Sequence, residues 1–175
     1  GQSRSINPAG GASHGGRGGS NSNNRLPGVV YGSSNAPSLP GSGAGFSYGG
    51  HGGAGGGLVR IEVSSVLDLS GTISANGLLA AGDGSWTAGG SGGSIYIRCQ
   101  KLSGSGGTLL ARGGECGSQN GCGGGGGRIA VWRVTHDYAG FPTANVQGGG
   151  GTYPGEEGTV VWGFLPAPGT IITIK

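Results

Sequence analysis

Glycine runs that keep phase with apolar strands constrain this chain more than any other feature. Four segments align: Gly57-Leu-Val-Arg-Ile-Glu-Val63, Gly93-Ser-Ile-Tyr-Ile-Arg-Cys99, Gly127-Arg-Ile-Ala-Val-Trp-Arg133 and Gly158-Thr-Val-Val-Trp-Gly-Phe164. Each follows a Gly-rich run, and the spacings are 36, 34 and 31 residues. Alternation of apolar and polar residues over so short a run predicts half-buried strands. A second short segment follows each first one: Thr72-Ile-Ser-Ala-Asn-Gly77, Thr108-Leu-Leu-Ala-Arg-Gly113, Thr143-Ala-Asn-Val-Gln-Gly148 and Thr170-Ile-Ile-Thr-Ile-Lys175. The unit is therefore strand, turn, strand and Gly-rich loop.

Aligned columns give the sides. Val59, Ile95, Ile129 and Val160 form one inward column, and Ile61, Ile97, Val131 and Trp162 a second. Arg60, Tyr96, Ala130 and Val161 point outward. Stacked like residues are what parallel repeats require, because each unit buries its apolar face only against its neighbours. The fold predicted is all-β: a glycine-rich parallel β-solenoid of about four strand-turn-strand coils with an irregular N-terminal cap. Residues 1–50, rich in Gly, Pro and Ser, read as the cap or a loop layer. Residues 51–164 read as the solenoid, and 165–175 as a C-terminal strand or arm.

Composition excludes much else. The 175 residues include 48 Gly and 8 Pro, against usual shares near 7% and 5%. Gly does not recur at every third position, which excludes collagen. A helical bundle is excluded by the cost of interior Gly, about 1 kcal/mol each. No apolar run is long enough for a membrane helix. Disorder is opposed by the phase between Gly runs and strands, which a flexible linker lacks. Here Gly is expected to supply positive φ at tight turns and close backbone approach. The chain starts at Gly1 and holds no Met, so it reads as processed or as an excerpt.

Charge points away from nucleic acid. The net charge is +3, and the eight Arg are spread along the chain rather than clustered into a phosphate-tracking patch. Glu62, Arg98 and Trp132 share an outward column, where Glu62 pairs with Arg98 and Arg98 stacks on Trp132, or where the complementarity is chance on a solvated face.

Cys116 and Cys122 flank a turn-like stretch and read as a disulfide, with two thiols or half a zinc site as the rivals. Cys99, in a strand pattern, reads as a buried thiol. A disulfide places the chain outside the cell or on its surface.

The stretches Gly89-Gly-Ser-Gly-Gly-Ser-Ile-Tyr-Ile97, Leu102-Ser-Gly-Ser-Gly106 and Gly124-Gly-Gly-Gly-Arg-Ile-Ala-Val131 resemble the Gly-rich parallel β-helix (pectin-lyase-like) repeats of large secreted or surface adhesin-like proteins. Ser70 to Gly77 and Ser13 to Gly19 are similar to parts of the same pattern. The resemblance spans residues 10–162. It implies the architecture and an adhesive or structural role, and it brings no catalytic motif.

No chemistry emerges from the residues themselves. Asp68, Asp83, Asp137, Glu62, Glu115, Glu156 and Glu157 fall at different places in the repeats, whereas glycoside hydrolysis needs two facing carboxylates. His14 and His51 lie in Gly-rich contexts, as loop-backbone partners or as two ligands of a metal site. Trp86, Trp132 and Trp162 read as packing residues, with sugar stacking as the alternative. No enzyme, cofactor or metal is predicted. Thr72, Thr108, Thr143 and Thr170 form a column one residue wide, suggestive of a surface such as ice.

The apolar tail, with Ile171, Ile172, Thr173 and Ile174, reads as a subunit contact made by strand addition. A head-to-tail contact that does not close makes a filament. The function expected is a non-enzymatic extracellular structural protein, a subunit of a self-assembling filament or surface layer. The alternative is an adhesin module that binds polysaccharide or a surface.

Overall fold

The computed structural model describes residues 10–20, 26–45, 51–80, 87–117, 120–139, 141–167 and 169. Seven strands run through them: β1 (Leu58–Asp68), β2 (Thr72–Ser74), β3 (Ser94–Ser103), β4 (Thr108–Leu110), β5 (Arg128–His136), β6 (Thr143–Asn145) and β7 (Thr159–Phe164). They form two parallel sheets, one of four strands in the order β1-β3-β5-β7 and one of three in the order β2-β4-β6. The four-coil β-solenoid with an irregular cap does not form. There are two separate sheets, no helix among the described residues, and no closed solenoid.

The physical reason lies in the glycine runs, which are not loops. The N–H groups of residues 89–93 point in three directions in turn. Gly89 and Gly92 donate to Cys122 and Gly125, Gly90 and Gly93 to Leu78 and Ala75, and Ser91 to Ser42. Residues 123–127 repeat the scheme: Gly123 and Gly126 donate to Tyr153 and Glu156, Gly124 and Gly127 to Gly114 and Ala111, and Gly125 to Ala12. A strand offers two directions; three directions in rotation mean three residues per turn, the geometry of a polyproline-II thread. The runs therefore build their own packed layer on the way from the three-stranded sheet back to the four-stranded one.

Close approach, not turn formation, is why this layer needs glycine. A Cβ at Gly126 would lie closer than 3.0 Å to the Val146 carbonyl. The described glycines with positive φ are Gly32, Gly104, Gly106, Gly151 and Gly169, none of them inside these two runs. Residues 10–19, expected in a cap, are one thread of the layer. Gly15 and Gly16 both donate to Gly126, Gly19 donates to Gly123, and Glu156 donates to Arg17.

The apolar core lies between the two sheets. Ile95, Ile97, Ile129 and Val131 from β3 and β5 pack with Leu109, Ala111 and Val146 from the other side. Strand register follows the sequence columns, with Val59 opposite Ile95, Ile95 opposite Ile129, and Ile129 opposite Val160. Burial is complete in the middle strands and partial at the edges, where Val59, Ile61 and Val63 of β1 are half-buried. Among the described residues, no helix is long and apolar enough to cross a membrane.

Candidate functional site

The outer face of the four-stranded sheet divides into a covered part and an open part. Its cover is a strap, residues 31–41, held by side chains projecting from the strands beneath it. Arg128 donates to the Tyr31 carbonyl from Nε (3.0 Å) and Nη2 (2.9 Å), and from Nη1 to Thr159 Oγ1 (3.0 Å). Trp132 Nε1 donates to the Asn35 carbonyl (2.7 Å), and Ser94 Oγ to the Leu39 carbonyl (2.7 Å). These anchors meet carbonyls spaced four residues apart, so the strap lies flat and buries Ala130 and Pro37. The Tyr31 hydroxyl closes the far end by donating to the Pro40 carbonyl (2.7 Å).

His14 sits where strap, thread and sheet meet. Its side chain is fully buried. Nδ1 lies 2.8 Å from the Gly92 carbonyl and so carries the proton, while Nε2 is buried with no hydrogen-bond partner among the described residues. The ring lies 4.7 Å from the Tyr31 ring, and the Tyr31 N–H donates to the His14 carbonyl (3.1 Å). Gly32, with φ of 80°, lets the strap pass close over the imidazole and Arg128; a Cβ there would stand 3.5 Å from Nε2. Burial lowers the His14 pKa, and the Arg128 charge lowers it further, against the Gly92 and Gly93 carbonyls. A neutral imidazole is what this contact holds.

Beyond the strap the face opens into a cleft of about 600 Å³ between Glu62, Ser64, Arg98, Gln100, Val134 and Pro166. It coincides with a register shift between Val63 and Val66, where β1 departs from β3. A bulge of this kind re-aims side chains and often lies beside a binding site.

The outward column behaves differently from its expected stacking. Glu62, Arg98 and Trp132 do lie in register. Glu62, however, takes Arg60, with Nη2 at 2.5 Å, and Arg60 stacks over the Tyr96 ring at 4.5 Å. Trp132 turns to Asn35 and packs over Gly163, where a Cβ would collide with its ring. Arg98 is left exposed in the cleft.

Cys116 and Cys122 stand as thiols rather than as the expected disulfide. Cys116 Sγ donates to the Thr87 carbonyl (3.0 Å), and Cys122 bridges Ala88 and Tyr153 in the backbone. Each serves its own contact. Cys99 is a buried thiol whose pKa is raised by burial and lowered in part by Arg133. Ile171, Ile172, Thr173 and Ile174 lie outside the described residues. So does Thr170, but Thr72, Thr108 and Thr143 do pair in register. His51 is exposed, apart from the buried His14. Among the described residues no three His, Cys, Asp or Glu side chains gather as a metal site.

Sequence reasoning missed the strap, the burial of His14 and the buried Arg133, whose guanidinium lies over Phe141 and Phe164 at 4.8 and 4.3 Å. A signal for His14 did exist: Ser13-His-Gly-Gly-Arg-Gly-Gly19 has the glycine density of the other threads. No known protein family, curated protein or solved structure matches the chain.

Proposed function

We propose that this protein is a non-enzymatic structural element of the cell surface or extracellular space whose copies join head to tail, the side of β1 that meets no described strand in one copy adding to the corresponding side of β7 in the next. The observation that carries this reading is the continuity of the ladder. Ser94 donates to the Gly57 carbonyl, Arg128 to Gly93 and Thr159 to Gly127. The next member of that series is the Leu58 N–H donating to the Gly158 carbonyl of another copy. Side chains continue too. Val160, Trp162 and Phe164 would stack on Val59, Ile61 and Val63 of that copy, extending the inward columns. All strands in the sheet are parallel, so the joint repeats head to tail, and it builds a filament where the rotation between copies does not close a ring. Unpaired strand edges with half-buried apolar side chains are the usual template for such addition.

Gly57 provides the test. A Cβ at Gly93 would strike the Gly57 carbonyl, one at Gly127 the Gly93 carbonyl, and one at Gly158 the Gly127 carbonyl. A Cβ at Gly57 meets nothing within 4 Å, and in the joint it would strike the Gly158 carbonyl of the neighbour. Gly57→Ala is expected to leave the circular dichroism and melting of the single copy unchanged while abolishing filaments seen by electron microscopy and sedimentation. Wild-type chain that stays monomeric when concentrated, or Gly57→Ala chain that assembles as well as wild type, would overturn the proposal.

A further inference from the structure

A buried imidazole whose second nitrogen has nothing to bond resists a proton, and His14 is such a group. Nδ1 is committed to the Gly92 carbonyl, and Nε2 has no hydrogen-bond partner among the described residues. A proton arriving at Nε2 would make a buried N–H with no described acceptor, on a ring that has become a cation. The groups facing that ring offer no counter-charge. They are Arg128 from β5, Tyr31 from the strap, and the Gly92 and Gly93 carbonyls from the thread. Glu156 of the neighbouring thread turns its carboxylate to the Arg17 N–H (3.3 Å). A Cβ at Gly32 would stand 3.5 Å from His14 Nε2 and 3.7 Å from Arg128 Nε, so one residue of the strap roofs both groups.

The hold on the strap is concentrated at this same point. Its Tyr31 end takes two bonds from Arg128, gives its N–H to the His14 carbonyl and packs its ring on the imidazole. Farther along, Trp132 and Ser94 supply one bond each, and the Gly41 N–H donates to the Gly56 carbonyl (2.8 Å). Residues 31–41 form no strand, and Pro37 is the one buried residue among them. We propose that the strap is an acid-sensitive latch: a proton taken up at His14 Nε2 frees residues 31–41 from the outer face and bares Ser94, Arg128 and Trp132. The charged ring repels Arg128 beneath Tyr31 and reaches water only when the strap lifts, so protonation and opening favour each other. The direction agrees with the His14 pKa, which burial and Arg128 lower in the closed form. Open, the ring titrates near its ordinary 6.5. The opening equilibrium therefore rises by up to about tenfold per pH unit below 6.5, and it levels off once the pH passes the closed-form value.

Amide exchange read residue by residue between pH 7.5 and 4.5, corrected for the intrinsic pH dependence of exchange, tests the latch. In wild type, the Tyr31 and Gly41 amides at the two ends of the strap are expected to exchange at least tenfold faster in acid. The Arg128 amide, which donates to the Gly93 carbonyl within the sheet (2.9 Å), is expected to stay slow. His14→Phe and His14→Gln, neither of which titrates, are expected to keep the strap equally protected at both pH values. Gln retains a donor for Gly92, so a packing fault peculiar to one variant is visible against the other. Three results would overturn the proposal: strap amides that do not respond to acid, an Arg128 amide that speeds up with them, or both His14 variants opening in acid as wild type does. The second would mean that the whole sheet loosens, and the third that another group takes the proton. The latch acts on the covered face and the Gly57→Ala test on the strand edges, so failure of one reading leaves the other standing.

Discussion

Replacing Gly126 with Ala would push a methyl group into the Val146 carbonyl and to within 2.6 Å of the Gly158 nitrogen. Neither atom is the free end of a side chain. Gly158 N–H donates to that same Val146 carbonyl at 2.8 Å, and Gly126 N–H donates to Glu156 at 2.9 Å. The Gly126 carbonyl accepts from both Gly15 and Gly16. Relief therefore means moving a thread away from its neighbours and stretching about three of these bonds. At about 1 kcal/mol net for each bond, and about 1–3 kcal/mol for forced overpacking, the cost is roughly 4–6 kcal/mol. That is a large share of the stability of an ordinary domain, about 5–15 kcal/mol. Gly150 is the control. A Cβ there meets nothing within 4 Å, and its φ is not positive. Gly150→Ala is expected to be neutral or to stabilise by about 0.4–1 kcal/mol through the unfolded chain. Urea unfolding followed by circular dichroism compares the two. If the Gly126 and Gly150 variants unfold at the same midpoint, the glycine layer is not close-packed.

Two further outcomes follow from the strap. Because burial lowers the His14 pKa below 6.5, the folded chain takes up that proton less readily than the unfolded chain. The stability it protects is full above pH 6.5 and is lost as the pH falls through the lowered folded value. Urea midpoints at pH 7.5 and pH 5 should differ for wild type and differ less for His14→Phe, which keeps the ring against Tyr31 but cannot titrate; parallel pH profiles would reject the assignment. Arg128→Met removes the two-pronged hold on Tyr31 and should cost about 1.5–3 kcal/mol. It should also raise amide exchange selectively over residues 31–41, and uniform exchange across the sheet would count against the strap.

Parts of this molecule can be read directly from the residues. Alternation in Val59-Arg60-Ile61-Glu62 and its counterparts marks the long strands and their sides, because side chains in a strand alternate whatever lies around them. The glycine ahead of each strand marks where it begins, so the register of the four-stranded sheet follows from alignment alone. The outward column was legible as a column but not as a set of contacts. Glu62 chooses Arg60 over Arg98 and Trp132 chooses Asn35, because rotamers and a covering segment decide among partners that are all within reach.

The glycine runs were the hardest part to read. Their order resides in backbone hydrogen bonds to segments tens of residues away, such as Gly125 to Ala12, and a residue without a side chain carries no periodic signal of where its N–H points. Hence runs that read as turns are threads, and a presumed cap contributes a thread with a buried histidine. The cysteines were hard to read as well: a spacing of six residues allows a bridge, whereas the structure has two thiols, with Cys116 Sγ turned to the Thr87 carbonyl. By itself, then, the sequence determined which segments are strands, which sides face inward and how neighbours align, since these depend on local alternation. Only the tertiary structure decided how the sheets are joined, what covers the outer face and where a cleft remains. Those outcomes depend on which distant backbones pack closely enough to exclude even a methyl group.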